Sequence, residues 1–330
     1  MTLINDIDTL KRYLGRAINK ATTWAFIQSY VELAQYEYIV PAIGPEMLAE
    51  LQTQVTANTL TPVNRLLLEL TQKALAFYAY QKYLPYSIGN DGDNGMQEQG
   101  TNDTKPVRMG VLDLRRRETA ENASKAIEQV LVQLFTFVEQ YPTWKSSDSY
   151  RDARGLFIGN ATELTKSLPQ AAGSYRLYTS LKTYLADAER MSITSLLGKA
   201  QFDALKAAQL AGNLSTVNAD LLEKVGKAAA TVAYAEALYN LNVVQTPGGQ
   251  LRMLSDFDGI YNQKAVTGHE LEQAQRRADG QAAASLNSLK SFLTANAEAY
   301  PLYKNSSSYA APGPNALPDN SRYQGVFRMR

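Results

Sequence analysis

General acid–base chemistry near neutral pH needs a group that titrates there, and this chain offers one histidine, His269, in Thr267-Gly268-His269-Glu270-Leu271. The position reads as the start of a helix, so a surface or capping role is expected of it. The chain has no cysteine, which excludes thiol catalysis, zinc sites of the Cys type, disulfides and a lipoprotein anchor. Asp91-Gly92-Asp93-Asn94-Gly95 is similar to the opening of a calcium loop, in which alternating oxygens wrap the ion and a glycine at the sixth place makes the bend. Met96 holds that sixth place, so a solvated turn is expected instead. Neither a Walker-type phosphate loop nor a dinucleotide glycine fingerprint is present. Glu69 and Glu223 sit on long helical patterns, where carboxylates are ordinarily solvated or paired, and Asp256 and Asp258 have no matching pair elsewhere. No cofactor and no metal are expected, and the chain reads as non-enzymatic.

What remains of functional side chains suits contacts between macromolecules. Arg115-Arg116-Arg117, echoed by Arg276-Arg277, could meet phosphate or an acidic partner through guanidinium pairing. Glu118 and Glu121 follow it, which favours a self-neutralising helix face over a nucleic-acid site. At the C-terminus Arg322, Tyr323, Phe327, Arg328 and Arg330 mix cationic and apolar groups, and this tail either docks on another surface or frays. The 20 tyrosines suit broad contact surfaces, because one end of the side chain is buried while the other stays polar. With 33 Lys+Arg against 32 Asp+Glu there is no global field to recruit DNA or an anionic membrane.

The elements that carry these residues occur twice. A shift of 154 positions lays Ile4, Leu10 and Leu14 on Ile158, Leu164 and Leu168. It then lays Tyr30, Ala34, Ile39, Gly44 and Leu51 on Tyr184, Ala188, Ile193, Gly198 and Leu205. Beyond a longer second loop the shift becomes 159, and Tyr141-Pro142, Trp144-Lys145 and Ser149-Tyr150 meet Tyr300-Pro301, Tyr303-Lys304 and Ser308-Tyr309. The expected fold class is mainly α: two tandem homologous helical modules, 1–152 and 153–309, followed by an extended tail, 310–330. Each module reads as a short helix (6–14, 160–168), an amphipathic helix (22–39, 175–193), a glycine stop at Gly44 or Gly198, and a further short helix. A long apolar helix (62–84, 216–239) follows, capped by Thr61 or Ser215. A Gly/Asp/Asn-rich segment (87–110, 243–267) is too long for a tight loop and reads as a β-hairpin or extended arm, with Val107, Val111, Leu251, Met253 and Ile260 as its strand-like residues. A last helix (113–140, 268–298) is expected to end at Tyr141-Pro142 and Tyr300-Pro301. Leu66 to Leu84 carries too many charges to lie in hydrocarbon, and the acidic N-terminus, lacking a basic region and apolar run, is expected to be uncleaved.

The stretch from Tyr30 to Leu51 and the two Tyr-Pro-x-[Trp/Tyr]-Lys-x-Ser segments resemble a family of uncharacterised proteins in phages and prophages of Bacteroidota. Each half also looks like the small helical head-to-tail connector, or adaptor, proteins of tailed phages. This likeness rests on a helix ending in Gly ahead of a long Ala/Leu/Tyr-rich helix, here Leu66–Leu84 and Leu221–Leu238. The resemblance implies a virion protein assembled in the host cytoplasm and placed at the head–tail interface. It further implies a homo-oligomeric ring, commonly of twelve copies, contacting portal protein, tail or other connector proteins and, transiently, packaged DNA, with no membrane involved. Two modules in one chain depart from that pattern. The alternative is a helical cell-surface or periplasmic binding protein of a Bacteroidota host.

Overall fold

The computed structural model describes residues 2–87, 89–92, 95–98, 109–240, 243–245, 251–253 and 268–311; for 89–92, 95–98, Met109, 243–245 and 251–253 it describes backbone alone. The first half runs α1 (Ile7–Leu14), α2 (Trp24–Ala34), a π turn (Gln35–Ile39), α3 (Val40–Ile43), α4 (Pro45–Ala57) and α5 (Pro62–Tyr83). After a short antiparallel pairing of β1 (Gly89–Gly92) with β2 (Gly95–Glu98) come α6 (Met109–Thr136), α7 (Pro142–Lys145) and α8 (Asp148–Arg154). The second half repeats the order: α9 (Ala161–Ser167), α10 (Tyr175–Ala188), a π turn (Glu189–Ile193), α11 (Thr194–Leu197), α12 (Lys199–Ala211) and α13 (Thr216–Asn240). The pairing of β3 (Val243–Gln245) with β4 (Leu251–Met253) precedes α14 (Gly268–Ala295) and α15 (Pro301–Lys304). The π turns, α4 with α12 and α6 with α14 keep the two shifts read from the sequence.

Local chemistry sets these boundaries. Asp6 and Asn160 cap α1 and α9 by accepting the backbone N–H groups of Thr9 and Glu163. Thr61 and Ser215 do the same for the long helices, through Asn64 and Asn218. In each module α5 or α13 pairs with α6 or α14 as a helical hairpin, and α2 or α10 packs across it. Leu67, Leu75, Ala79, Ile127, Val130 and Leu134 fill the first core. In the second half α13 is rich in alanine (Ala228, Ala229, Ala230, Ala233, Ala235, Ala237), and the core divides into two clusters along it.

The Tyr-Pro segments close each module. The Tyr141 hydroxyl donates to the Val63 carbonyl (3.3 Å) and the Tyr300 hydroxyl to the Val217 carbonyl (2.8 Å), tying the returning chain to the first turn of the long helix. Trp144 and Tyr303 are buried beneath, and Trp144 donates from Nε1 to the Ala42 carbonyl. Lys145 pairs with Glu139 and Lys304 with Glu298, each at 2.5 Å. Ser147 and Ser306 then press against Gly44 and Gly198.

Several boundaries differ from the sequence reading. The amphipathic helices do not stop at 39 and 193 but pass through π turns to residues 43 and 197. The last helices end at Thr136 and Ala295, and Pro142 and Pro301 open short helices instead of ending long ones, since proline suits a first helical turn. Helix α8 crosses the expected boundary at 152, so the connection between halves is 155–160. Val111 lies in α6 and not in a strand. Gly44 and Gly198 have positive φ (81° and 77°), but with extended ψ (150° and 143°) in place of the left-handed helical value. Val107, Ile260 and the tail from 312 lie outside the described residues.

That glycine geometry is tolerated by almost no other residue, and strain there is worth about 1–3 kcal/mol. A Cβ at Gly44 would stand 3.3 Å from the Ser147 Cβ, and at Gly198 2.7 Å from the Ser306 Cβ. Gly198→Ala is therefore expected to lower the urea midpoint more than Gly44→Ala, and equal midpoints for the two would contradict the packing described.

Candidate interaction surfaces

The connection between the halves is pinned by buried polar side chains. Glu189, the first residue of the second π turn, is 3% exposed. Its carboxylate accepts the Phe157 N–H (2.5 Å) and pairs with Lys206 Nζ (2.7 Å). Lys206 also donates to the Gly155 carbonyl at 2.7 Å and lies 3.8 Å from the centroid of the Phe157 ring. Gln209 donates from Nε2 to the Phe157 carbonyl. Burial pushes Glu189 up and Lys206 down, towards their neutral forms, and their mutual attraction opposes both shifts. The first half solves the same problem without charge: Gln35 takes the place of Glu189, its Oε1 accepting the Leu3 N–H at 2.8 Å, and Gln52 stands where Lys206 does.

The halves meet where α6 faces α9 and α10. The Glu128 carboxylate, buried on α6, accepts the N–H of Ala161 (3.2 Å) and both the N–H and the hydroxyl of Thr162 (2.6 Å each). Burial raises the Glu128 pKa against these bonds. Ser124 Oγ accepts the Arg176 N–H at 3.4 Å, and Tyr175 packs on the first core. Phe135 approaches Gly159, with the Arg154 guanidinium stacked on its ring at 4.3 Å and paired with Glu163.

A second surface faces outward on the first half. Phe26 (67% exposed), Leu33 (49%) and Tyr36 (67%) follow one side of α2 into its π turn, and this degree of exposure is unusual for apolar residues at helical spacing. Tyr30, Tyr83 and the exposed Tyr86 continue it as a ring cluster, with Tyr30 5.6 Å from Tyr83 and 5.5 Å from Tyr86. Phe26, Leu33, Tyr36 and Tyr86 correspond to Ser180, Asp187, Arg190 and Asn240 of the second half, and Tyr83 to Ala237, while Tyr30 is matched by Tyr184. The sequence reading missed this stripe because Phe, Leu and Tyr at such spacing look like a core face. Comparing the two copies position by position carries the signal.

Of the expected partner-binding residues, Arg115, Arg116 and Arg117 lie among the described residues. Arg115 and Arg117 are exposed and Arg116 half-buried in the first turns of α6. Arg115 reaches the Tyr80 hydroxyl, which itself donates to the Ala17 carbonyl at 2.6 Å. Arg117 acts on Glu121, which is paired with Lys125. Arg322, Tyr323, Phe327, Arg328 and Arg330 lie outside the described residues, as do Asp93, Asp256 and Asp258. Among the described residues no group of three His, Asp or Glu side chains could hold a metal. His269 is exposed at the start of α14 with Gln273 3.0 Å away, and Glu69 and Glu223 are exposed. Among the described residues no helix is long and apolar enough to cross a membrane.

The fold and these surfaces define a tandem helical repeat protein whose two units share a core plan and differ at the surface. A family model described as "Family of unknown function (DUF6712)" matches residues 39–154 and again 193–313, and the chain belongs to that family, with one unit in each half. The matched segments begin at Ile39 and Ile193 and end at Arg154 and Gly313, which reproduces both shifts of the internal repeat. No curated protein and no solved structure matches the chain.

Removing one partner of a largely buried pair strands the other charge, at a cost on the order of 3 kcal/mol. Lys206→Gln is expected to destabilise by about that amount at neutral pH, while the double variant Glu189→Gln, Lys206→Gln, which installs the first half's solution, regains most of it. In Lys206→Gln the folded-state pKa of Glu189 rises further, so the penalty is absent below the ordinary carboxylate range and grows as pH rises through the folded pKa. Denaturation midpoints at acid and neutral pH measure this, and a loss independent of pH would sink the assignment.

Proposed function

We propose that this protein is a structural virion component, an adaptor in a ring of copies that joins portal to tail. The observation that carries the reading is the asymmetry between the modules. Where the second unit carries Ser180, Asp187 and Arg190, the first exposes Phe26, Leu33 and Tyr36, which the described residues leave uncovered. Exposed aromatic and aliphatic anchors of this kind supply binding energy when a partner desolvates them. A junction tied by buried hydrogen bonds, Glu128 to Ala161 and Thr162, supports the reading as well, because a ring needs its subunits to present two surfaces at a fixed relation. The Tyr30, Tyr83 and Tyr86 cluster leads from the stripe to the start of the segment 87–110, the arm proposed to reach a neighbouring chain. The resemblance to tailed-phage connectors names portal and tail proteins as partners, with virion localisation.

Negative-stain microscopy of the purified protein, alone and mixed with portal protein, tests this. Rings or portal-bound density are expected. Phe26→Ser, Leu33→Asp, Tyr36→Arg, combined in one chain, installs the second module's residues at exposed positions, and should weaken portal binding at least tenfold with little change in thermal midpoint. Portal binding unchanged by this triple variant would remove the stripe from the interface, and a protein that neither associates nor binds portal would remove the connector reading.

A further inference from the structure

A core filled across its middle opens as one body, and a core that thins there can divide. The buried apolar side chains of the first module form one cluster, from Leu3 and Leu10 through Leu75 and Ile127 to Tyr150. Those of the second form two, met in turn along the α13–α14 hairpin. One body gathers Leu164, Leu181 and Leu185 of α9 and α10 around Ala230, Ala233 and Ala282. The other gathers Ile193, Leu197 and Leu205 around Leu221, Val225, Leu289 and Leu293, and is closed by Tyr300 and Tyr303. Among the described residues Leu286 alone packs against both, and it is only half-buried. Its counterpart Ile127 is fully buried in the single core of the first module.

Residue exchanges at the waist account for the division. Ala229, fully buried, stands where the first module has the equally buried Leu75, and Val232 stands where it has Tyr78. Tyr78 stacks on Tyr38 with ring centroids 3.9 Å apart, and Ser192, at the place of Tyr38, has no ring to offer. Thr231 replaces Phe77 and turns its hydroxyl back to the carbonyls of Lys227 (3.0 Å) and Ala228 (3.1 Å), a bond that tends to bend a helix and adds nothing across it. Gly226 takes the place of Gln72 in the interior of α13. A Cβ there would meet Ser167 Oγ at 3.5 Å and Ile158 Cγ1 at 4.0 Å, ordinary contacts, so packing does not demand a glycine that weakens the helix. Each body also has its own fastening. Glu128 of α6 holds the first turn of α9, whereas Lys206 and Gln209 of α12 hold Gly155 and Phe157, and the Tyr150 hydroxyl donates to the Leu210 carbonyl.

We infer that the second module is jointed: the body built on α12, α15 and the first turns of α13 opens and recloses as a separate cooperative unit about Leu286, while the body built on α9 and α10 stays docked on α6. The first module has no such joint and opens only as a whole. A chain of this design holds one contact fixed and yields at another. The joint shares no residue with the α2 stripe, so its failure and that of the connector reading are separate results.

Hydrogen exchange of the whole chain, followed by mass spectrometry through sub-denaturing urea, tests the joint. The amides of α12 are expected to exchange through an opening less sensitive to urea than the opening that exposes α10, because less surface is uncovered. A substitution in the α9–α10 body separates the two further, since that body is intact on both sides of the α12 opening. Leu185 is fully buried there, and the first module has Val31 in its place. Leu185→Val should speed exchange in α10 by about fivefold and leave α12 unchanged. Ile27→Val in the undivided first core should speed α2 and α4 alike. Gly226→Ala should slow α12 by about two- to fivefold, and no effect on α12 would place α13 outside the opening body and overturn the joint. One urea dependence shared by α10 and α12, or an equal response of both to Leu185→Val, would make the module a single unit and overturn it as well. Any other part of the chain that bridges the two bodies would show itself in the same way.

Discussion

Each module depends on one closure, in which a chain that has travelled the length of a helical hairpin is fastened back to its beginning by a tyrosine hydroxyl. Tyr141 and Tyr300 bond to the first-turn carbonyls of Val63 and Val217, which helical hydrogen bonding has already engaged on one lone pair. The net worth of such a bond is about 1 kcal/mol, less than the roughly 1.5–3 kcal/mol for burying a large apolar side chain. Its importance is positional. It sets Trp144 or Tyr303 into the core and brings Ser147 or Ser306 against a glycine that has no Cβ to resist the approach. The helix pairs α5 with α6 and α13 with α14 are held in register from this end, while their far ends lead into the long segments.

The two halves also show how one backbone accommodates different electrostatics. A π turn at the same place in both leaves its first side chain buried and facing an N–H of the segment that precedes the module's first helix. An amide satisfies that N–H in the first half. A carboxylate does so in the second and brings a lysine with it, because an unpaired buried charge would cost several kcal/mol. Lys206 then bonds the Gly155 carbonyl as well, so the exchange of Gln for Glu adds a contact to the connection between modules.

The parts of this architecture that were legible in the sequence are those where a residue type has a single structural use. Gly44 and Gly198 mark a backbone conformation closed to other residues, Tyr-Pro marks the closure, and Thr61 and Ser215 mark caps; together they yielded the repeat and most helix starts. Where the residue type is ambiguous, the reading failed. Nothing in Gln35-Tyr36-Glu37-Tyr38-Ile39 distinguishes a π turn from continuing helix, because the insertion is decided by tertiary packing. Proline at 142 and 301 reads as a stop, although it starts a helix as readily as it prevents one. The arginine run reads in sequence as a self-neutralising helix face before a contact site, and Arg115 and Arg117 act on Tyr80 and Glu121 of their own module.

The apolar stripe of α2 was hidden for a further reason. Burial in a single sequence is inferred from apolarity, so an apolar residue facing solvent is invisible by construction. A duplicated chain supplies the missing reference within itself. Positions that keep their character across copies, such as Ile39 with Ile193 and Leu51 with Leu205, are buried in both halves. Positions that change from Phe, Leu and Tyr to Ser, Asp and Arg are exposed in the first half, and the fold asks for nothing there. Divergence at exposed positions therefore marks surface that folding leaves free to differ, while divergence at buried positions, as at Gln35 and Glu189, is matched by a change of partner within the chain. The core plan thus belongs to both modules, while the stripe of α2 is surface in which they differ and the pair Glu189 and Lys206 is a buried difference that the second module satisfies within itself.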